Sequence, residues 1–177
     1  MSLTATLKNT RNLDPADFDS KPRLQQIAGA IRRLHRSDVE FQGGLSLRGT
    51  LEQHYQLLEP RVQESLAVRM DKASRILALL EAEDPDPVPS HRDPVAGNLL
   101  FDEERLWLID WEYSAMASPY WDLAIVCNEA NLDLRRSRAL LQAYCADGAP
   151  MQESVLFDYR GLLKLLNDCW MAAFSPG

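Results

Sequence analysis

The segment His91-Arg92-Asp93-Pro94-Val95-Ala96-Gly97-Asn98 decides how this chain is read. It has the form H-x-D-x-x-x-x-N, and twelve residues after Asn98 comes Asp110, at the end of the apolar run Leu106-Trp107-Leu108-Ile109. Phosphoryl transfer needs a carboxylate to take the attacking hydroxyl's proton, and oxygen ligands to hold magnesium against the phosphates. Asp93 suits the first task, and Asn98 with Asp110 the second. Magnesium keeps most of its octahedral shell for water and phosphate oxygens, so one amide and one carboxylate are a sensible protein share. Three fixed residues at fixed spacing arise by chance in about one to a few per cent of chains this long, so the pattern gains its weight from its surroundings.

Those surroundings read as a β-hairpin. Leu99-Leu100-Phe101 and Leu106–Ile109 are two short apolar runs separated by the four residues Asp102-Glu103-Glu104-Arg105. Asn98 precedes the first strand and Asp110 follows the second, so one end of the hairpin presents both side chains. The acidic tip, Asp102 to Glu104, is the solvated turn such a hairpin needs and not a site. Upstream, Glu83-Asp84-Pro85-Asp86-Pro87-Val88-Pro89-Ser90 holds three prolines in eight residues and reads as a connector, neither helix nor central strand. From Pro22 to Arg36 the apolar residues Leu24, Ile27, Ala28, Ile31 and Leu34 recur at helical spacing, with Asp19 or Ser20 as the cap. A Gly43-Gly44 break follows, then a short helical stretch near Thr50 to Glu59. Pro60 starts a long helix with Val62, Leu66, Met70, Ala73, Ile76, Leu77 and Leu80 on one face. Residues 119–130, 133–146 and 151–173 also read as helix. The expected class is mostly α (α+β), helices around one small hairpin that carries the catalytic loop.

With 177 residues, 46% hydrophobic and 25% charged, the chain has the size and composition of one soluble domain able to bury a full core. A formal charge of −7 disfavours a nucleic-acid partner. It suits a cationic substrate, although mild acidity commonly serves solubility alone. Cys127, Cys145 and Cys169 are odd in number with no C-x-x-C spacing, which points away from disulfides and zinc and fits a reducing cytoplasm. His35 and His54 likewise lack ligand spacing and read as surface or satisfied core residues. No apolar run approaches the ~20 residues of a membrane span, and the leading MSLTATLKNT lacks the apolar core of a signal peptide.

Residues 91–130, HRDPVAGNLLFDEERLWLIDWEYSAMASPYWDLAIVCNEA, closely resemble the catalytic core of bacterial choline kinases, within the aminoglycoside and choline phosphotransferase superfamily of protein kinase-like fold. Asp110-Trp111-Glu112-Tyr113 matches that family's D-[FW]-E-Y, and Asp122 with Glu129 matches an Asp followed seven residues later by a Glu. The resemblance is strong from about 88 to 130 and weaker over Leu24 to Arg36 and the C-terminal helices. It implies ATP and magnesium as cofactors and a small alcohol such as choline or ethanolamine as acceptor. It further implies Asp93 as the base, Asn98 and Asp110 as magnesium ligands, and Glu112 near the metal or substrate. Asp122 would support the catalytic-loop backbone and His91 would pack beneath it. A quaternary ammonium is held by aromatic faces with acidic support. Tyr113, Trp170 and Glu129 are the candidates for that role, while Trp111, Tyr120 and Trp121 read as packing residues. Pro94 departs from the family, which has an apolar residue such as Leu there, and it biases Asp93 away from the helical region.

The family's N-terminal lobe supplies a phosphate-covering loop and a lysine paired with a glutamate. Here about twenty residues precede the first helix, the lysines number four (Lys8, Lys21, Lys72 and Lys164), and neither G-x-G-x-x-G nor a P-loop motif occurs. The expected organisation is therefore a hinge-proximal segment over 1–20 and a C-terminal catalytic lobe over 21–177, with the nucleotide-binding lobe absent. An interlobe face left open in this way is expected to self-associate. Three readings of function stand: a choline/ethanolamine-type kinase, an aminoglycoside or other small-alcohol phosphotransferase, and a non-catalytic binding or interaction module.

Overall fold

A computed structural model describes residues 10–42, 46–83, 86–102, 104–146, 148 and 150–174. In chain order the elements are β1 (Arg11–Asn12), α1 (Lys21–His35), α2 (Leu47–Gln56), α3 (Pro60–Glu83), β2 (Val88–Ser90), β3 (Leu99–Phe101), β4 (Leu106–Leu108), β5 (Ala115–Ala117), α4 (Tyr120–Glu129), α5 (Leu134–Tyr144) and α6 (Glu153–Phe174). The fold is mostly helical, as the periodicity predicts. The Gly43-Gly44 break and Glu103 of the hairpin tip lie outside the described residues.

α1 begins where Ser20 Oγ accepts from the Arg23 N–H, with Pro22 in the first turn. Its stripe of Leu24, Ile27, Ala28 and Ile31 is fully enclosed and packs chiefly on α5. α4 is buried nearly all round: Tyr120, Trp121, Asp122, Leu123, Ala124, Val126 and Cys127 are all inside. A helix apolar on every side belongs in the centre of a core. It lies against α6, whose Leu156, Tyr159, Leu162, Leu163, Leu165 and Cys169 close the core from beneath. α3 contributes Ala73, Leu77 and Leu80 to the same core.

The hairpin β3–β4 forms in the expected register, Leu99 opposite Leu108 and Phe101 opposite Leu106. It is not the only sheet structure. β1 pairs antiparallel with the other edge of β3, Arg11 opposite Phe101, and β2 pairs with β5, Val88 opposite Ala117 and Ser90 opposite Ala115. The proline-rich segment therefore ends as a strand and not as a plain connector. Both strands of a two-stranded ladder are edges, where a proline such as Pro89 is tolerated. Strands of two or three residues carry too little alternation to be read from sequence.

The residues just before α1 are integral to the hairpin. Asp17 accepts both ends of the Arg11 guanidinium at 2.7 and 2.8 Å and the Arg23 Nε–H at 3.1 Å. Arg23 lies 3.4 Å over the Phe101 ring, and Asn12 Nδ2 donates to the Gly97 carbonyl at 2.6 Å, in the loop between β2 and β3.

Candidate active site

The loop from His91 to Asn98 hangs between β2 and β3, and its conformation is set from below. Asp122, in the first turn of α4, is wholly buried. Its Oδ2 accepts from the His91 N–H (2.9 Å) and its Oδ1 from the Arg92 N–H (2.7 Å). The same carboxylate meets His35 Nε2 at 3.0 Å, and the other nitrogen of that ring lies 2.8 Å from the Tyr144 hydroxyl. Two consecutive N–H groups on one carboxylate hold Arg92 at φ 65, a left-handed conformation that disfavours any side chain. The Arg92 guanidinium carbon lies over Trp121, 4.0 Å from the ring centroid, and the group donates to Thr50 Oγ1 of α2. Burial lowers its pKa, with the Asp122 charge opposing that shift. His91 Nε2 donates to the Ile109 carbonyl at 2.8 Å, tying the loop to the strand that leads into Asp110. Trp111 covers the His91 ring at 4.7 Å, and Phe41 stacks over Trp111 at 6.1 Å.

Asp93 is half-buried above this platform. Asn98 Nδ2 donates to both its carbonyl oxygen and its Oδ2, each at 2.9 Å. With its amide hydrogens committed to Asp93, Asn98 keeps Oδ1, the atom a hard cation takes. Pro94 sits within a tight turn closed by the Val95 N–H on the Asp93 carbonyl. The Ile109 N–H donates to the Asn98 carbonyl at 3.1 Å, so Asp110 follows immediately at the same end of the hairpin, exposed and at φ 64. Burial pushes the Asp93 carboxyl above the ordinary carboxylate range. The His91 ring and the Asn98 bond draw it down, and the charges of Asp110 and Glu129 push it further up. Tyr113, exposed, is raised first by the charge of Glu112, then by burial and a hydrogen bond to Glu112, and further by Asp93 and Asp110.

Asn98 thus bonds Asp93, the charges of Asp110 and Glu129 act on Asp93, and those of Glu112, Asp93 and Asp110 act on Tyr113. Trp170 stands further along α6, ten residues and about 15 Å of helix beyond Arg160. There it packs on Phe174 (5.8 Å), which meets His54 of α2 (6.1 Å), one turn from the Thr50 that binds Arg92. Of the two readings the sequence left for His35, surface or satisfied core, the structure shows the second, and its i+4 spacing from the buried Ile31 places it on the core face of α1; its bond to Asp122 was not foreseen. Among the described residues no cluster of three or more His, Cys, Asp or Glu side chains is set to hold a metal without help. Two protein ligands completed by phosphate oxygens and water are what magnesium takes at a phosphoryl site, and Asn98 with Asp110 fit that share.

Residues 9–160 match the phosphotransferase enzyme family, APH. The chain belongs to that family. It is 33% identical over 148 residues to Protein LicA of Haemophilus influenzae, covering 82% of this chain and 44% of that protein. It is 32% identical over 108 residues to a thiamine kinase of Escherichia coli, covering 59% of this chain and 37% of that one. The chain thus spans about half or less of the length of these curated relatives. Among solved structures, a choline/ethanolamine kinase family protein from Mesorhizobium loti superposes with a TM-score of 0.82 at 25% identity, over 96% of this chain and 60% of that one. The fold is that of the protein kinase-like phosphotransferases.

Proposed function

We propose that residues 21–177 are the proton-accepting and metal-holding lobe of an ATP- and magnesium-dependent phosphotransferase, with residues 1–20 leading in from the hinge. The acceptor is a small cationic alcohol of the choline or ethanolamine type. The observation that carries this reading is the Asp93–Asn98 pair within the field of Asp110 and Glu129. Asp93 Oδ2 is held by Asn98, which leaves Oδ1 to take the proton of the attacking hydroxyl. A raised pKa makes it the stronger base for that transfer. Asn98 Oδ1 and Asp110 would hold magnesium, with Glu112 beside them, and the ion when bound neutralises charge on the phosphates. Glu129 and Tyr113 face the cationic end of the acceptor, and Trp170 supplies an aromatic wall from the α2 side. Choline and thiamine are both cationic primary alcohols, so the kinases this chain resembles support the substrate class more than any single member of it. No described helix is long and apolar enough to cross a membrane, and we assign the protein to the cytoplasm, where ATP is plentiful.

Neither a G-x-G-x-x-G nor a P-loop motif occurs in the 177 residues, and positioning of the phosphates dominates phosphoryl transfer. Slow turnover by this chain alone is therefore expected. The test is magnesium-dependent transfer from ATP to choline, ethanolamine, thiamine and an aminoglycoside, with Asp93→Asn as background. Transfer to the cationic alcohols above that background supports the reading. Transfer to the aminoglycoside alone would replace it with the second family activity, and choline binding without any transfer would make the chain a binding module.

A further inference from the structure

We infer that Arg160 is a positioning residue that sets Glu129 for the cationic end of the acceptor, an inference that rests on the proposed cation site. Glu129 is the last residue of α4, and the chain beyond it turns through a left-handed cap. The Leu132 N–H bonds the Cys127 carbonyl at 2.9 Å and the Asn131 N–H bonds the Asn128 carbonyl at 3.1 Å, with Asn131 at φ 47 where glycine is commoner. Leu132 is buried beneath the turn, while the Glu129 side chain stands exposed.

One guanidinium grips this turn from α6. Arg160 Nε donates to Asn128 Oδ1 at 3.1 Å, Nη2 to the Leu132 carbonyl at 3.1 Å, and Nη1 to Ser137 Oγ of α5 at 2.9 Å. Asn128 Nδ2 returns a bond to the Arg160 carbonyl at 2.8 Å. The residues flanking Glu129 are therefore anchored from α6, and the carboxylate they carry is one whose charge is felt at Asp93. A planar fork with donors in three directions does this, and the single ammonium of a lysine does not. The Arg160 guanidinium spends its bonds on Asn128, Ser137 and Leu132, so its effect on the acceptor passes through Glu129.

That last point separates positioning from general stability. Choline affinity of the full chain is measured by titration calorimetry for the parent, Glu129→Gln, Arg160→Met and the double variant. We expect Glu129→Gln to weaken binding about tenfold and Arg160→Met about fivefold, and the double variant to match Glu129→Gln alone, because neighbours acting through one another do not add. A double variant weakened about fiftyfold would mean independent effects and would overturn the inference, as would parent-like binding by Arg160→Met. Should Arg160→Met lose its folded circular dichroism, Asn128→Ala, which removes one tether, takes its place in the same cycle. Parent-like binding by Glu129→Gln, or no measurable choline binding by the parent, would instead remove the cation site and this inference with it.

Discussion

Replacing Asp122 by alanine tests the foundation of the site. Its carboxylate takes the His91 N–H, the Arg92 N–H and His35 Nε2 at 2.9, 2.7 and 3.0 Å in a fully buried setting. Each interior donor left without an acceptor costs about 1–3 kcal/mol. Three of them, with some relaxation, bring the loss to about 4–6 kcal/mol, about a quarter or more of the roughly 5–15 kcal/mol that holds an ordinary domain folded. Arg92 would also lose the two bonds that keep it left-handed. At a urea slope of about 2 kcal/mol/M, a loss of about 4 kcal/mol moves the unfolding midpoint by about 2 M. Asp122→Asn refines the test. The two backbone donors use different oxygens of the carboxylate, so whichever way the amide turns, one N–H faces an NH₂ group. The asparagine variant should therefore lose about half as much as the alanine variant. A loss below about 1 kcal/mol for Asp122→Ala, or a parent-like midpoint for Asp122→Asn, would refute the claim that this carboxylate anchors the catalytic loop.

Three further outcomes are expected. The folded pKa of Asp93 lies above its unfolded value, so its stabilising contribution is complete below about 3.9 and is lost as pH rises through the folded value. Asp93→Asn should therefore abolish transfer yet unfold at pH 7 no earlier than the parent in urea, and a clearly lower midpoint would count against this account. Asp17 has the opposite sign: its bond to Arg11, partly offset by burial, holds it well below the ordinary carboxylate range. Its contribution is present above about 3.9 and lost as pH falls through the folded value, so Asp17→Asn should destabilise at pH 7 and the gap in urea midpoint should narrow in acid; a gap that widens contradicts it. Trp170→Ala should weaken choline binding by at least about threefold if the aromatic wall reaches the cation, and calorimetry giving unchanged affinity would leave Tyr113 as the site's aromatic.

The helices and the hairpin were legible because periodicity and turn chemistry are local signals. β1 and the β2–β5 ladder were not, since each is two or three residues long and its partner is distant in sequence. The site divides the same way. Asp93, Asn98 and Asp110 lie within eighteen residues of one another on a single loop and hairpin, so spacing alone could name them together as candidates. His35 reaches Asp122 across 87 positions and Arg160 reaches Asn128 across 32, and no pattern along one chain announces such partners. The left-handed backbones of Arg92 and Asp110 were equally hidden, because non-glycine residues seldom take that conformation and no local pattern calls for it.

The bond from Asn12 to Gly97 makes the start of the described chain a mechanical lever. β1 is zipped to β3, and Asn12 grips the turn that carries Asn98, so tension applied ahead of residue 10 should reach the loop from His91 to Asn98 through these bonds. A bulky reporter fused at that end would load the loop from His91 to Asn98, whereas one placed after α6 would pull on a helix end. In a force-extension experiment drawn from the two termini, the first rupture should release β1 and disturb the loop while the helical core still holds its length.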